Sequence, residues 1–164
     1  MPNVFEPEWE AGEEEDWPQG YAGHFSQVGK AAGSQQLGAS LYETPPGNST
    51  CPYHWHAASE EMLVVVSGRP TLRTPEGERE LAEGEVVAFP VGEQGAHTVI
   101  NNTDEPTRIL IVSEMNAPEV AVYPDSGKVM ARQQAPGTEA TGIRAIFRFE
   151  DAVDYWDGEI EEDR

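Results

Sequence analysis

The stretch GNSTCPYHWHAASEEMLVVVSG, residues 47–68 of the 164-residue chain, decides how the rest is read. Glu61 to Val66 is a short β-branched run with Gly68 beyond its end, the pattern of a strand closed by a turn. His54 and His56 stand two apart, so on a strand both imidazoles leave one face and Trp55 takes the other. Glu61 opens the next run and shares its face with Leu63 and Val65. His97, after the turn Gly92 to Ala96, opens a later strand that in a closed sheet projects into the same interior. Three imidazoles and one carboxylate then converge, a nitrogen and oxygen set that suits a divalent first-row metal and leaves positions for water or substrate. His24 has no ligand-spaced neighbour and reads as structural or exposed.

Outward from this stretch, short apolar runs recur between turn residues, while helical periodicity is scarce. The expected strands are Gln36 to Glu43, Glu61 to Val66, Pro70 to Thr74, Arg79 to Leu81, Val86 to Phe89, His97 to Asn101 and Arg108 to Glu114. Thr74 to Gly77 places Pro and Gly where a tight turn wants them, predicting a hairpin. Pro45 to Asn48 and Asn102 to Pro106 read as further turns, and Pro118 to Lys128 as a long exit from the last clear strand. Residues 131–142 read as a loop or linker, and Ile143 to Phe149 alternates again, adding a strand or a clamp. The fold class is all-β, built from antiparallel strands.

The length fits about one domain. A single cysteine, Cys51, excludes an intrachain disulfide and any cysteine-rich zinc site. The net charge of −20 is concentrated at the ends: residues 1–16 hold seven acids, residues 150–164 hold eight, and residues 17–149 carry 15 acids against nine basic residues. A mildly acidic centre argues against nucleic acid. The tails read as solvated segments whose Trp9, Trp17, Tyr155 and Trp156 suggest docking onto the barrel or across a pair of chains. Met1 to Asp16 is acidic where a secretory signal is basic and then apolar, and no run approaches the ~18 apolar residues of a membrane helix. The expectation is a cytoplasmic protein with no membrane partner.

The spacing Gly47, six residues, His54, one, His56, four, Glu61, six, Gly68 resembles the first motif of the cupin superfamily, with one extra residue after the first glycine. Gly84, five residues, Pro90, one, Gly92, four, His97, three, Asn101 resembles the second, with a lengthened gap before its histidine. The likeness covers roughly residues 36–115, and the wider chain is similar to an uncharacterised bacterial single-domain (monocupin) family. It implies a cupin-type double-stranded β-helix, or jelly-roll barrel, with extended terminal segments. The implied organisation is an acidic, partly docked extension over 1–30, a barrel over 31–130, and a linker with an acidic, aromatic-bearing tail over 131–164. By position His54, His56, Glu61 and His97 match the four metal ligands, and the implied cofactor is one divalent ion of Fe, Mn, Ni, Co, Zn or Cu.

Other residues have plainer readings. Cys51 by parity faces away from the histidines and reads as a small half-buried hydrophobe. Tyr53 and Trp55 share an outward face. Leu63, Val65, Phe89 and Val99 read as the apolar wall and core, Gln94 as loop-exposed, and Lys128 as a solvated turn or a lid. Gly47, Gly68, Gly84 and Gly92 mark strand ends that need positive φ or close approach, and Asn101 a local hydrogen-bonding post.

The functional expectation is a metal-dependent enzyme acting on a small organic molecule in the barrel, of dioxygenase, isomerase or epimerase, or lyase type, with Glu61 in the catalytic role. The alternative is a non-catalytic metal- and ligand-binding or sensing module, and a closed structural metal is a third reading. Exposed sheet edges need covering, so a homodimer is expected.

Overall fold

The computed structural model describes residues 1–10, 17–135 and 142–159. The first sheet takes β1 (His24–Ser26), β2 (Leu37–Thr44), β9 (Thr107–Glu114), β4 (Glu61–Ser67) and β7 (Val86–Phe89), in the order β1-β2-β9-β4-β7. A three-stranded sheet orders β6 (Gly77–Glu80), β5 (Thr71–Thr74) and β8 (Thr98–Ile100). A four-stranded sheet orders β12 (Arg144–Arg148), β11 (Lys128–Arg132), β10 (Glu119–Tyr123) and β3 (Trp55–His56). Alternation along β4 sends Leu63 and Val65 inward, where they meet Ile109, Leu72, Leu81, Phe89 and Val99 in one buried cluster. Burying these side chains stabilises the barrel by about 1.5–3 kcal/mol each.

The two smaller sheets meet at a single pair of residues. The His54 N–H donates to the His97 carbonyl at 3.1 Å, and the His97 N–H returns the bond to the His54 carbonyl at 2.9 Å. The fold is the expected all-β double-stranded β-helix, and the Thr74 to Gly77 hairpin forms between β5 and β6. Gly68 shows why its position excludes a side chain: φ is +83° and an added Cβ would lie 2.9 Å from Thr107 Cγ2.

Three strands lie outside the expected set. β1 is a short edge strand, and β10 and β11 occupy the segment read as an exit and the start of the loop over 131–142, of which 136–141 lie outside the described residues. Charged Glu119, Lys128 and Arg132 at the strand ends and Pro124 with Gly127 between them masked the alternation. β12 is the added strand expected from Ile143 to Phe149.

The two ends of the chain differ. The Glu10 N–H donates to the Phe25 carbonyl, the Glu10 carboxylate accepts from the Gln27 backbone and side chain, and Trp9 packs on His24 with the Arg108 guanidinium over its ring. Tyr155 and Trp156 instead pack edge-to-face on each other and remain exposed with Phe149 and Val153. α1 (Val28–Ala31) is a single turn, and Gly29 lets it lie close over Ala39 of β2.

Asn101 fastens the turn after β8. Fully buried, it donates from Nδ2 to the Thr44 and Glu105 carbonyls and accepts at Oδ1 from the Thr103 N–H and hydroxyl. Asn101→Ala removes all four bonds, leaving the Thr103 hydroxyl and the Glu105 carbonyl only each other, and is expected to cost about 2–3 kcal/mol, read from the urea midpoint. Asn101→Asp, which turns a carboxylate toward two carbonyl oxygens, is expected to cost more at neutral pH.

Candidate metal centre

His54 and His56 leave the same side of their segment, with ring centroids 4.9 Å apart. Glu61 begins β4 on the inward register of Leu63 and Val65. His54, His56 and Glu61 each offer a ligand atom, and these atoms lie within 4.8 Å of one another, a group that could hold a metal ion. His97 reaches the group from the other small sheet. Its Nε2 lies 3.4 Å from Glu61 Oε2, the same oxygen that His56 Nε2 approaches at 3.4 Å.

His97 is clamped. Its ring lies parallel to Phe89 with centroids 3.7 Å apart, and its Nδ1 is 2.9 Å from the Gly95 carbonyl oxygen. Gly95 has to be glycine, because a Cβ there would fall 1.8 Å from the Pro90 carbonyl oxygen.

The hydrogen bonds fix the tautomers. A carbonyl oxygen only accepts, so Nδ1 carries the proton where it meets the Gly95 carbonyl in His97 and the Pro52 carbonyl in His54. Burial, then the neighbouring His54, hold His97 down to about 3 and His56 down to about 4. Both are neutral near pH 7, and the Nε2 of His97 therefore aims a lone pair at a carboxylate oxygen. Two acceptors facing each other at 3.4 Å repel unless a cation lies between them. Ligands ~2.1 Å from a metal stand about 3.0–3.4 Å apart, so the residues fit the ion that the sequence reading expects.

Several neighbours of this group escape sequence reasoning. Glu119 is buried on β10, its Oε1 accepting from the Ala58 and Val120 N–H groups and its Oε2 lying 3.7 Å from His56 Nδ1. That oxygen and His56 Nδ1 both lack a hydrogen-bond partner. The pairing across β3 and β10 sets it there, since Ala121 stands opposite His56. Tyr123 stacks on His54 with centroids 5.8 Å apart, and Tyr42, pushed up to about 12 by burial, keeps its hydroxyl proton.

Cys51 corrects the parity argument. Its Sγ is 3.8 Å from His54 Nδ1 and it lines the same cavity as the histidines, because the chain bends at Cys51 to Tyr53 rather than continuing as a strand. Burial pushes the thiol up to about 11, so it is protonated near neutrality. Tyr53 does face outward, under the Arg73 guanidinium at 4.1 Å, and Gln94 is exposed. Lys128 opens β11 rather than a lid, with its ammonium 5.5 Å over the Tyr123 ring.

The cavity at the cluster is about 90 Å³, lined in part by Tyr42, Cys51, His54, Glu61 and His97. Tyr42 also lines a larger cavity of about 510 Å³ between Phe25, Ser40, Ser113 and Met115. The first has room for an ion and its immediate ligands, and the second falls in the size range of small-molecule sites.

The fold agrees with the comparisons. Residues 40–113 match the model of the cupin domain. A sugar phosphate isomerase of the cupin superfamily from Silicibacter pomeroyi is 25% identical, with TM-score 0.77, over 96% of this chain and 98% of its own. A putative sugar phosphate isomerase from Acidithiobacillus ferrooxidans is 26% identical, with TM-score 0.72, over 82% of this chain and 81% of its own. Among curated proteins, none matches the sequence.

Glu119 Oε2 lies behind His56 Nδ1 at 3.7 Å, beyond hydrogen-bond reach but on the side of the ring from which carboxylates orient metal-binding histidines. Glu119→Ala is expected to weaken affinity for an added divalent metal about 10- to 100-fold, measured by competition with a chromophoric chelator.

Proposed function

We propose that the protein is a metal-dependent isomerase of small phosphorylated sugars or closely related hydroxycarbonyl compounds, with His54, His56, Glu61 and His97 as ligands. One observation carries the metal: ligand atoms of His54, His56 and Glu61 lie within 4.8 Å of one another, and His97 Nε2 comes within 3.4 Å of the Glu61 carboxylate. The isomerase reading is supported by two structures similar over most of their length, both described as sugar phosphate isomerases or putative ones. The ion is one of Fe, Mn, Ni, Co, Zn or Cu, and when bound it supplies a Lewis acid for a carbonyl or hydroxyl oxygen.

The chain's own groups do the rest. Isomerisation moves one proton from the carbon bearing a hydroxyl to the adjacent carbonyl carbon and a second from that hydroxyl to the former carbonyl oxygen, with no net oxidation. Glu61, the carboxylate in the small cavity, takes and returns the carbon-bound proton. Tyr42 lines both cavities, and its protonated hydroxyl would donate a hydrogen bond to a substrate oxygen there. Leu63, Val65, Phe89 and Val99 form the apolar wall behind the cluster and keep water out.

A homodimer forms part of this proposal. Trp55, Val120, Val122, Val129 and Phe147 lie on the outer face of the four-stranded sheet, with Phe147 52% exposed, and a second copy would cover them. Among the described residues no helix is long and apolar enough to cross a membrane, and a cytoplasmic setting is proposed with the rest.

Elemental analysis of the untagged protein is expected to find about one equivalent of transition metal, lost in the His54→Ala, His56→Ala double variant. The metal-loaded protein, incubated with pentose and hexose phosphates in D₂O, is expected to exchange the proton next to the carbonyl, followed by NMR. Glu61→Gln is expected to lower that exchange at least 100-fold. Metal binding without exchange on any of these compounds favours the binding-module reading instead.

A further inference from the structure

We infer that Arg132, Lys128 and Arg144 form a subsite that binds the phosphate of the substrate beside the metal cluster. The inference deepens the isomerase reading and rests on it for the reaction, but the binding of the anion stands on its own observations.

The ladder places these residues. His56 stands opposite Ala121, Ala121 opposite Met130, and Met130 opposite Ile146, so these four share one face of the four-stranded sheet. Residues two positions along each strand share it too: Glu119 and Tyr123 on β10, Lys128 and Arg132 on β11, Arg144 and Arg148 on β12. This is the face that turns His56 toward Glu61 and Tyr123 against His54. Four of the chain's ten basic residues therefore lie on the face that begins at the candidate metal site.

The use of charge across the molecule sets them apart. With 30 acids for ten basic residues, a paired cation is the default, and Arg69, Arg73, Arg79, Arg108 and Arg148 each lie within ion-pair distance of an acid. Among the described residues Lys30, Lys128, Arg132 and Arg144 have no such partner and no side-chain hydrogen bond; Lys30 stands alone on α1, whereas the other three share one sheet face. Arg132 and Arg144 stand directly opposite each other, as do Lys128 and Arg148, and like charges so placed destabilise a sheet. Burial and the Arg144 charge both hold the Arg132 pKa below its ordinary value. The acid on this face nearest them is Glu119, and it is already engaged, with Oε1 on two backbone N–H groups and Oε2 toward His56.

An anion removes this conflict. A phosphate is shared by Arg132 and Arg144, which stand opposite each other, Arg binding it through two parallel N–H bonds, while Lys128, four residues or about 13 Å along β11, reaches it by lying back over Met130. Lys128, propped on the Tyr123 ring that packs against His54, ties the anion to the cluster. A substrate held by its phosphate on β11 and β12 would present its other end to Glu61.

The test titrates inorganic phosphate into the full-length protein as purified, followed by ³¹P line broadening and calorimetry, beside variants with equal metal content. Saturable binding is expected, weakened roughly tenfold or more in Arg132→Gln and in Lys128→Gln and less in the more exposed Arg144→Gln. Arg73→Gln, which breaks an outer ion pair with Asp125, is expected to leave it unchanged. Equal phosphate affinity in the wild type and the Arg132 and Lys128 variants overturns the subsite, as does tighter binding of acetate than of phosphate. Phosphate binding lost in Arg132→Gln without isomerisation of any sugar phosphate by the wild type would refute the reaction and leave the subsite standing.

Discussion

Two backbone hydrogen bonds between His54 and His97 hold the candidate site together. Here the three-stranded and four-stranded sheets meet, and the residues that make the bridge are also two of the imidazole donors. The donor geometry is therefore set by main-chain pairing rather than by flexible side chains. The ring of His97 is fixed further by Phe89 and the Gly95 carbonyl, and that of His54 by the Pro52 carbonyl and Tyr123. A site built on paired backbone keeps its donors in place before any ligand arrives.

Around this bridge the chain accepts local costs that a purely structural barrel has no reason to carry. His56 Nδ1 and a Glu119 oxygen are buried without hydrogen-bond partners, and a lone pair of His97 faces a carboxylate. Two and three strands along the same sheet, unpaired guanidiniums oppose each other in a strongly acidic chain. Each feature is unfavourable in the empty protein and becomes favourable when a charge of the opposite sign is added: a cation at the histidines, an anion on the arginines. The two sit on one continuous face, which is why they read as halves of a single site for a bifunctional ligand.

Much of this was legible in the sequence. The spacing of His54, His56 and Glu61 identified their shared face, because strand geometry alternates side chains without regard to what lies across the sheet. The turns at Pro45 to Asn48 and Thr74 to Gly77, and the core positions Leu63, Val65, Phe89 and Val99, followed from the same local rules. Cys51 escaped because parity counts only along a strand and the chain bends at Pro52. Glu119, Tyr123 and Arg132 escaped because their strands carry few β-branched residues and are interrupted by Pro124 and Gly127.

From the sequence alone came the all-β class, through alternation and turn residues, and the shared face of His54 and His56, through their spacing; the double-stranded β-helix and the four-ligand set came from the resemblance to the cupin superfamily. Only the tertiary structure decided which acid stands behind His56, which tyrosines flank the cluster, and where the unpaired cations gather. Those are cross-strand relations, some between neighbouring strands such as Arg132 and Arg144 and some between residues as far apart in the chain as Ala58 and Glu119, and register across a sheet is a property of the assembled barrel.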